Sequence, residues 1–323
     1  CSPLAERGGA YGIDSFMAWV GCKKALREEV LARFPLYYER YIEVFGGGGW
    51  VLFGRPPDPG VMEVYNDFNS NLVNLYYCVK NHTMELLRLL GFLPLNSRDE
   101  FNVLRRFLEK QEFDLAFLSQ ELDLARHNLP DPEFEEIRSL MLEHASIGDV
   151  QKAAAFYKLI RYSYGSGCTS FGCQPFDVRK TFHLIWQASN RLANTVIENK
   201  DFEALIRQYD RENAFFYCDP PYYMTEDHYE VEFPKPDHVR LRDALTRCLG
   251  KWMVSYNDCA YIRELYQDYH ITAVTRINNL AQRYDRGCEF PEVIITNYDP
   301  MERKKSGPQQ MDLFSAGLMG GDG

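Results

Sequence analysis

The sequence predicts an α/β protein: one sheet, interrupted after its second strand by a mainly helical insertion. Three observations lead there. A β-prone run, Tyr41-Ile42-Glu43-Val44, stops at Phe45 and four glycines, and a second run over 61–65 ends at Asn66-Asp67. Five more β-prone runs follow residue 190, with helical stretches between most of them. The intervening chain, from about 82 to 162, reads as charged helix. Strand, glycine loop, helix, strand and acid in that order open a nucleotide-binding βαβ unit.

The elements follow in turn. The apolar spacing of 16–34 predicts a helix with Lys23, Lys24, Arg27 and Glu28 on its polar side. Helical periodicity resumes at Leu72 after the second strand, and 99–110 and 134–144 continue it. Residues 162–180 break the pattern with Gly165, Gly167, Gly172 and Pro175, and read as a glycine-rich loop or hairpin. The later β-prone runs are 195–197, 214–218, 252–256, 270–274 and 293–297. A polar, Gly-rich tail follows about Arg303. The expected division is a core of 11–81 and 191–302, an insertion of 82–190 and a tail of 303–323.

Composition narrows the class. With 46% hydrophobic and 25% charged residues, global disorder is excluded. No run of about 18 apolar residues is present, so no membrane-spanning helix is expected. Lys and Arg number 36 against 46 Asp and Glu, a net charge of −10. That balance does not exclude nucleic acid, because binding needs only one locally basic face. Nine cysteines stand singly, which argues for reduced thiols over a disulfide framework. Cys168 and Cys173 lack a second pair at ligand spacing, so no metal is expected.

Two motifs carry chemistry. Phe45-Gly46-Gly47-Gly48-Gly49 lets a ligand approach the backbone closely, and the following helix offers unpaired amides. Asp67, about 20 residues on, stands where a carboxylate accepts ribose hydroxyls. The second motif, Asp219-Pro220-Pro221-Tyr222, directly follows a strand. Its prolines remove two amide donors and stiffen the turn. Asp219 and a proline-segment carbonyl suit the two hydrogens of an exocyclic amine, and Tyr222 suits the face of a planar ring.

These two motifs, in this order, resemble the Dam-type (class alpha) DNA adenine-N6 methyltransferases, which use S-adenosylmethionine. The resemblance extends to Trp19-Val20-Gly21-Cys22-Lys23, where Cys22 replaces a glycine of the family pattern, and to Asn66-Asp67, Asn199-Lys200-Asp201-Phe202 and the late strand. It covers about 16–300 and is weak through the insertion. It implies a Rossmann-like methyltransferase sheet and a site-specific DNA methyltransferase that attacks the methyl group directly from a flipped-out adenine. Phe45, Gly46, Gly47 and Gly48 would line S-adenosylmethionine, with Trp19 and Lys23 at its methionine end. Asp67 would hold the ribose, and Asp201 and Phe202 would frame the cofactor's adenine. Asp219, Pro220, Pro221 and Tyr222 would grip the target base. A carbon-5 cytosine enzyme would instead need a nucleophilic cysteine in a Pro-Cys step, and this chain has no Pro-Cys.

The insertion occupies the family's target-recognition position. Arg161, Arg179 and Lys180 are candidates for DNA contacts, with Tyr164 to fill the gap left by the flipped base. Thr169 stands where GATC-reading relatives tend to carry an arginine, and Ala18 where they often carry a lysine, so the resemblance does not extend to that site. In the tail, Gln310-Met311-Asp312-Leu313-Phe314 resembles the bacterial sliding-clamp-binding pentapeptide. Gln310 would fill a polar pocket, and Leu313 and Phe314 an apolar one. Expected partners are double-stranded DNA and the clamp; a cognate restriction nuclease stays an open alternative, because an orphan enzyme, a phage enzyme and half of a restriction-modification pair read alike, and the expected location is cytoplasmic, at the bacterial nucleoid or phage-encoded. Two alternatives stand beside this reading. One is a cytosine-N4 methyltransferase on the same scaffold. The other is a catalytically weak DNA-binding protein recruited by the clamp.

Overall fold

Strand β1 (Arg40–Glu43) lies inside the sheet with its two central side chains, Tyr41 and Ile42, covered on opposite faces. Tyr41 packs into one core and Ile42 into the other. The computed structural model describes residues 12–19, 23–92, 97–109, 123–138, 149–163, 171–172, 177–223, 233–277 and 289–302. Strands β2 (Met62–Asn66) and β4 (Ala214–Cys218) flank β1, both parallel to it. In β4 every residue is buried, with Phe215 and Tyr217 on one face and Phe216 and Cys218 on the other. That continuous apolar run is what a parallel strand between two helical layers requires. Strand β3 (Thr195–Glu198) adds beyond β2, and β5 (Lys251–Asn257) beyond β4, both parallel. The last two strands, β6 (His270–Ile277) and β7 (Glu289–Thr296), form an antiparallel pair, and β7 inserts beside β5. The order is β3-β2-β1-β4-β5-β7-β6.

Helix α1 (Arg27–Leu31) precedes β1, α2 (Trp50–Gly54) joins β1 to β2, and α3 (Ser70–Asn81), α4 (Thr83–Phe92) and α5 (Arg98–Glu109) follow β2. Next come α6 (Val150–Tyr162) and α7 (Phe182–Leu192), before β3. Helix α3 is capped by Asn69, whose side chain accepts from Leu72 N at 3.1 Å. Helix α6 is capped in the same way by Asp149, which accepts from Lys152 N at 2.9 Å. Asn74 fastens the two together, donating to Asp149 O at 2.9 Å and accepting from Asp149 N at 3.0 Å. Helices from the 82–190 stretch thus share one continuous apolar core with the sheet.

The long helix expected over 16–34 is not formed; among the described residues only Arg27–Leu31 are α-helical there. Tertiary contacts override the apolar spacing. Phe16 and Met17 are fully buried, and Ser15 Oγ donates to Gly48 O at 2.5 Å. Tyr157 of α6 donates its hydroxyl to Phe16 O at 2.9 Å. Residues 12–19 are pinned as irregular chain, bent at Phe16 and Met17, between the glycine loop and the helical layer. The β-prone runs, by contrast, all appear as strands.

A buried ionic cluster ties α7 to the sheet. Glu63 of β2 accepts from Arg191 Nη1 at 2.5 Å and Nη2 at 2.9 Å, pairs with Arg55, and accepts from Thr195 Oγ1 at 3.1 Å. Removing Arg191 leaves Glu63 with Arg55 as its described cation and strips two buried carbonyls, Arg55 O and Leu52 O, of a donor. Arg191→Ala is expected to lower unfolding free energy by about 3–5 kcal/mol, read by urea titration. A loss below about 1 kcal/mol, the range of an exposed ion pair, would contradict this account.

Candidate active site

The parallel strands end along one edge at Glu43, Asn66, Glu198, Cys218 and Asn257, where ligands bind in open α/β sheets. A cavity of about 270 Å³ opens there. The glycine loop forms one wall. Gly46 N donates to Asn66 O at 2.8 Å, so the loop turns back across the end of β2. Gly47 and Gly49 take positive φ, 49° and 63°, which glycine adopts without Cβ strain. A Cβ on Gly47 would lie 2.9 Å from Trp19 Cδ1, so Trp19 rests directly on the loop.

Asp67 fixes this loop. Its Oδ2 accepts from Gly47 N at 2.9 Å and its Oδ1 from Asn69 N at 2.8 Å. Burial pushes its carboxyl up, while those amides pull it back. The cap of α3 is Asn69, which leaves Asp67 to face the cavity with Phe68 beside it. Asn66 closes the far side through Val44 O at 2.9 Å and Lys200 N at 2.8 Å.

The second wall is aromatic. Helix α8 (Phe202–Tyr209) begins after β3 and helix α9 (Lys235–Thr246) after β4. Phe45, Phe202 and Phe233 surround one another with centroids 5.6–5.7 Å apart. Arg240 of α9 lies over Phe202, 4.2 Å from its centroid, and pairs with Asp201. Asp201 also caps α8, its Oδ1 accepting from Glu203 N at 3.0 Å. The sequence places Asp201 and Phe202 at the cavity but gives no sign of the arginine that shares them.

The floor holds the ionisable groups. Asp219 follows β4; Ser255 Oγ of β5 donates to its Oδ1 at 2.9 Å, and Lys23 Nζ lies 2.7 Å from the same atom. Burial raises the Asp219 carboxyl, and Lys23 opposes that rise. Lys23 Nζ also lies 3.5 Å from Glu292 Oε2 and hydrogen-bonds the Tyr222 hydroxyl. Tyr222 donates to Glu292 Oε2 at 2.5 Å. The Tyr222 ring is buried in the apolar cluster with Phe233 and Tyr256, and Lys23 Nζ stands 4.5 Å from its centroid. Beneath them Glu43 accepts from Tyr41 at 2.8 Å, and burial pushes its carboxyl up to about 8.

The structure therefore brings Trp19, Lys23, the glycines, Asp67, Asp201, Phe202, Asp219 and Pro221 to one cavity. Pro220 and Tyr222 are buried beside it. Lys23 is placed among the carboxylates of the floor. Sequence reading missed Glu43, Ser255, Arg240 and Glu292. A signal existed for Glu43, an acid inside a β-prone run, whereas Glu292 stands just before one.

The candidate DNA contacts are only partly placed. Arg161 is half-buried in the last turn of α6. Arg179 and Lys180 are exposed on a 3₁₀ turn, Arg179 paired with Asp177 at 2.9 Å. Tyr164, Thr169, Gln310, Leu313 and Phe314 lie outside the described residues, as do Cys168 and Cys173. Among the described residues no three His, Cys, Asp or Glu side chains are grouped to hold a metal. No described helix is long and apolar enough to cross a membrane. Cys218 is buried, and burial raises its thiol well above the ordinary range, which leaves it unreactive.

A parallel sheet with an antiparallel strand slotted in next to its last position, and a ligand crevice at the β1 and β4 ends, defines a Rossmann-like methyltransferase fold. The chain belongs to the D12 class N6 adenine-specific DNA methyltransferase family, whose pattern matches residues 19–280. That span includes both the glycine loop and Asp219-Pro220-Pro221-Tyr222. The chain is 27% identical over 305 residues to the type II methyltransferase M1.LlaDCHI of Lactococcus lactis subsp. cremoris, covering 88% of this chain and 95% of that protein. It is 28% identical over 258 residues to the type II methyltransferase M.CviBI of Paramecium bursaria Chlorella virus NC1A, covering 78% and 85%. The protein is an adenine-specific DNA methyltransferase, and its reaction requires a methyl donor.

Proposed function

We propose that the donor is S-adenosylmethionine and that the acceptor is N6 of a flipped-out adenine in double-stranded DNA, held by Asp219. One observation carries this reading: Asp219 shares a single cavity with the glycine loop and Asp67. The cavity's chemistry fits the donor. Asp67 suits two ribose hydroxyls, the Phe45–Phe202 pair suits an adenine ring, and Trp19 with the glycine loop suits the methionine end. When bound, the donor supplies an electrophilic sulfonium methyl.

The chain's own groups do the rest. Adenine's amine is a weak nucleophile because its lone pair is conjugated into the ring. Hydrogen bonds from both amine hydrogens to Asp219 and the Pro220 carbonyl polarise the N–H bonds and favour a pyramidal nitrogen. These acceptors are preorganised: Ser255 holds the Asp219 carboxylate, and two prolines stiffen the turn. Fixing the amine in line with the methyl supplies the orientation part of the rate. The base must leave the helix to reach this floor, at a cost of a few kcal/mol. Tyr222 takes the exposed ring face, and stacking of about 1–3 kcal/mol offsets part of that cost.

Nucleoside mass spectrometry on mixed-sequence duplex DNA tests this reading. N6-methyladenine that depends on both S-adenosylmethionine and Asp219 is expected. N4-methylcytosine in its place would overturn the base assignment.

The basic residues of 82–190, among them Arg161, Arg179 and Lys180, contact DNA in this reading, with Tyr164 filling the vacated stack and Thr169 near the bases. A cognate restriction nuclease is the partner that fits likeness to two type II methyltransferases. The tail pentapeptide docks a bacterial sliding clamp, which raises the enzyme's concentration at newly made DNA. In a pulldown with purified clamp, Leu313→Ala plus Phe314→Ala is expected to abolish retention. Equal retention of both proteins removes the clamp from the account.

A further inference from the structure

The two oxygens of Asp219 are used unequally. Oδ1 accepts from Ser255 Oγ at 2.9 Å and lies 2.7 Å from Lys23 Nζ, while none of the described contacts of Asp219 is made through Oδ2. The residue lines the cavity. The chain thus holds one oxygen and leaves the other for the substrate. Ser255 is itself held by Tyr217 of β4, whose hydroxyl lies 3.2 Å from its Oγ.

We propose that Tyr217 is a positioning residue that acts through Ser255: its hydroxyl donates to Ser255 Oγ, which directs the serine's one proton onto Asp219 Oδ1 and sets Oδ2 to receive the adenine amine. The inference rests on the assignment of Asp219 as the amine's acceptor. Three features of the site support it.

The first is register. Tyr217 pairs with Met253 and Cys218 with Val254, so one further step sets Asp219 level with Ser255. Side chains alternate along a strand, which puts Tyr217 and Asp219 on one face with Ser255 beside both. The second is the proton count. A serine hydroxyl has one proton, and an ionised carboxylate only accepts. The proton given to Asp219 is not available to Tyr217, so Tyr217 is the donor between the two hydroxyls. Tyr217 is buried, and burial holds its phenol well above the ordinary range, so it keeps the proton it donates. Ser255 is the one described partner of that hydroxyl.

The third is torsional freedom. The last torsion of an aspartate side chain is broad, so a stiff turn does not by itself fix the carboxylate plane. Donors on Oδ1 fix it. Tyr217 keeps Ser255 Oγ in the rotamer that faces Asp219, and by donating it makes the serine a stronger donor in turn. The methyl transfer depends on where Oδ2 points, because the amine must be in line with the methyl group when it attacks.

Single-turnover methyl transfer at saturating S-adenosylmethionine and DNA tests the proposal. Ser255→Ala is expected to lower the rate at least about tenfold and Tyr217→Phe at least about threefold, each with S-adenosylmethionine Kd unchanged within about twofold. In a Ser255→Ala background Tyr217→Phe is expected to change the rate by less than about twofold, because no serine remains to orient. A tyrosine that served packing alone would cost the same in both backgrounds. A wild-type rate for either single variant overturns the proposal, and so does an equal cost of Tyr217→Phe in both backgrounds. If Ser255→Ala does not fold, the double variant carries the test, since it leaves no buried Tyr217 hydroxyl without a partner; an undiminished rate there overturns the proposal. Asp219→Ala is measured alongside. If that variant is active, the assignment of Asp219 fails. If it is inactive and Ser255→Ala is fully active, only the relay through Tyr217 and Ser255 fails.

Discussion

Asp219→Ala is expected to reduce methyl transfer by at least about a thousandfold while S-adenosylmethionine still binds within about twofold of wild type. The asymmetry follows from where the carboxylate sits. Asp219 Oδ1 receives Ser255 Oγ and Lys23 Nζ, and it belongs to the floor and not to the glycine-loop wall. The groups assigned to the donor are Asp67, Phe45 and Phe202, and none of them hydrogen-bonds Asp219 among the described contacts. Removing the acceptor leaves the amine conjugated and unpolarised, so the loss falls on the chemical step. Lys23 keeps Glu292 as a partner, which limits the damage to the fold. Filter-bound counting of labelled methyl groups gives the rate, and equilibrium titration gives the affinity. Activity within about tenfold of wild type would falsify the role of Asp219, since one preorganised acceptor in a dry site contributes more than that.

The parts of the site that were legible in the sequence are those written in consecutive residues. Phe45-Gly46-Gly47-Gly48-Gly49 and Asp219-Pro220-Pro221-Tyr222 are local because a tight turn at a strand end needs particular backbone chemistry in successive positions. The strands were legible for a related reason: β4 is apolar without interruption because both its faces are covered. Lys23 and Tyr222 were legible singly but not as partners, and Ser255 and Glu292, which complete the floor, were not legible. Tyr222 bonds Lys23 across 199 positions and Glu292 across 70. Nothing in a local pattern states that β7 runs antiparallel beside β5 and so carries Glu292 under the Asp219 turn. The apolar spacing around Lys23 predicts a helix with Lys23 on its polar side, while the family resemblance sets it at the donor's methionine end. The helix fails at Phe16, which is drawn to Tyr157 of the 82–190 stretch. Periodicity describes a segment as if it packed on one smooth face, whereas this one is held by hydrogen bonds to the glycine loop through Ser15 and to Tyr157 through Phe16.

Asp67→Ala is expected to weaken S-adenosylmethionine binding by about a hundredfold, more than any other single change on the donor side. Two losses combine. The carboxylate is assigned to the ribose hydroxyls, and hydrogen bonds to a charged group contribute about 1.5–3 kcal/mol. The same carboxylate accepts from Gly47 N at 2.9 Å, and Gly47 sits at φ 49° against Trp19. Without Asp67 the Gly47 amide loses its acceptor, and the loop that forms the cavity wall loses the bond fixing its turn. Asp67→Asn separates the two effects. Its amide oxygen can still accept from Gly47 N, which keeps the glycine loop's bond at the expense of the one from Asn69 N, but the charge that strengthens the ribose contact is gone. A loss of about tenfold is expected for Asn against about a hundredfold for Ala, read by isothermal titration without DNA. Equal losses for the two variants would assign the whole effect to the ribose contact. An affinity unchanged in Asp67→Ala would remove this carboxylate from the donor site, and with it the reading of the glycine loop and Asp67 as one binding unit.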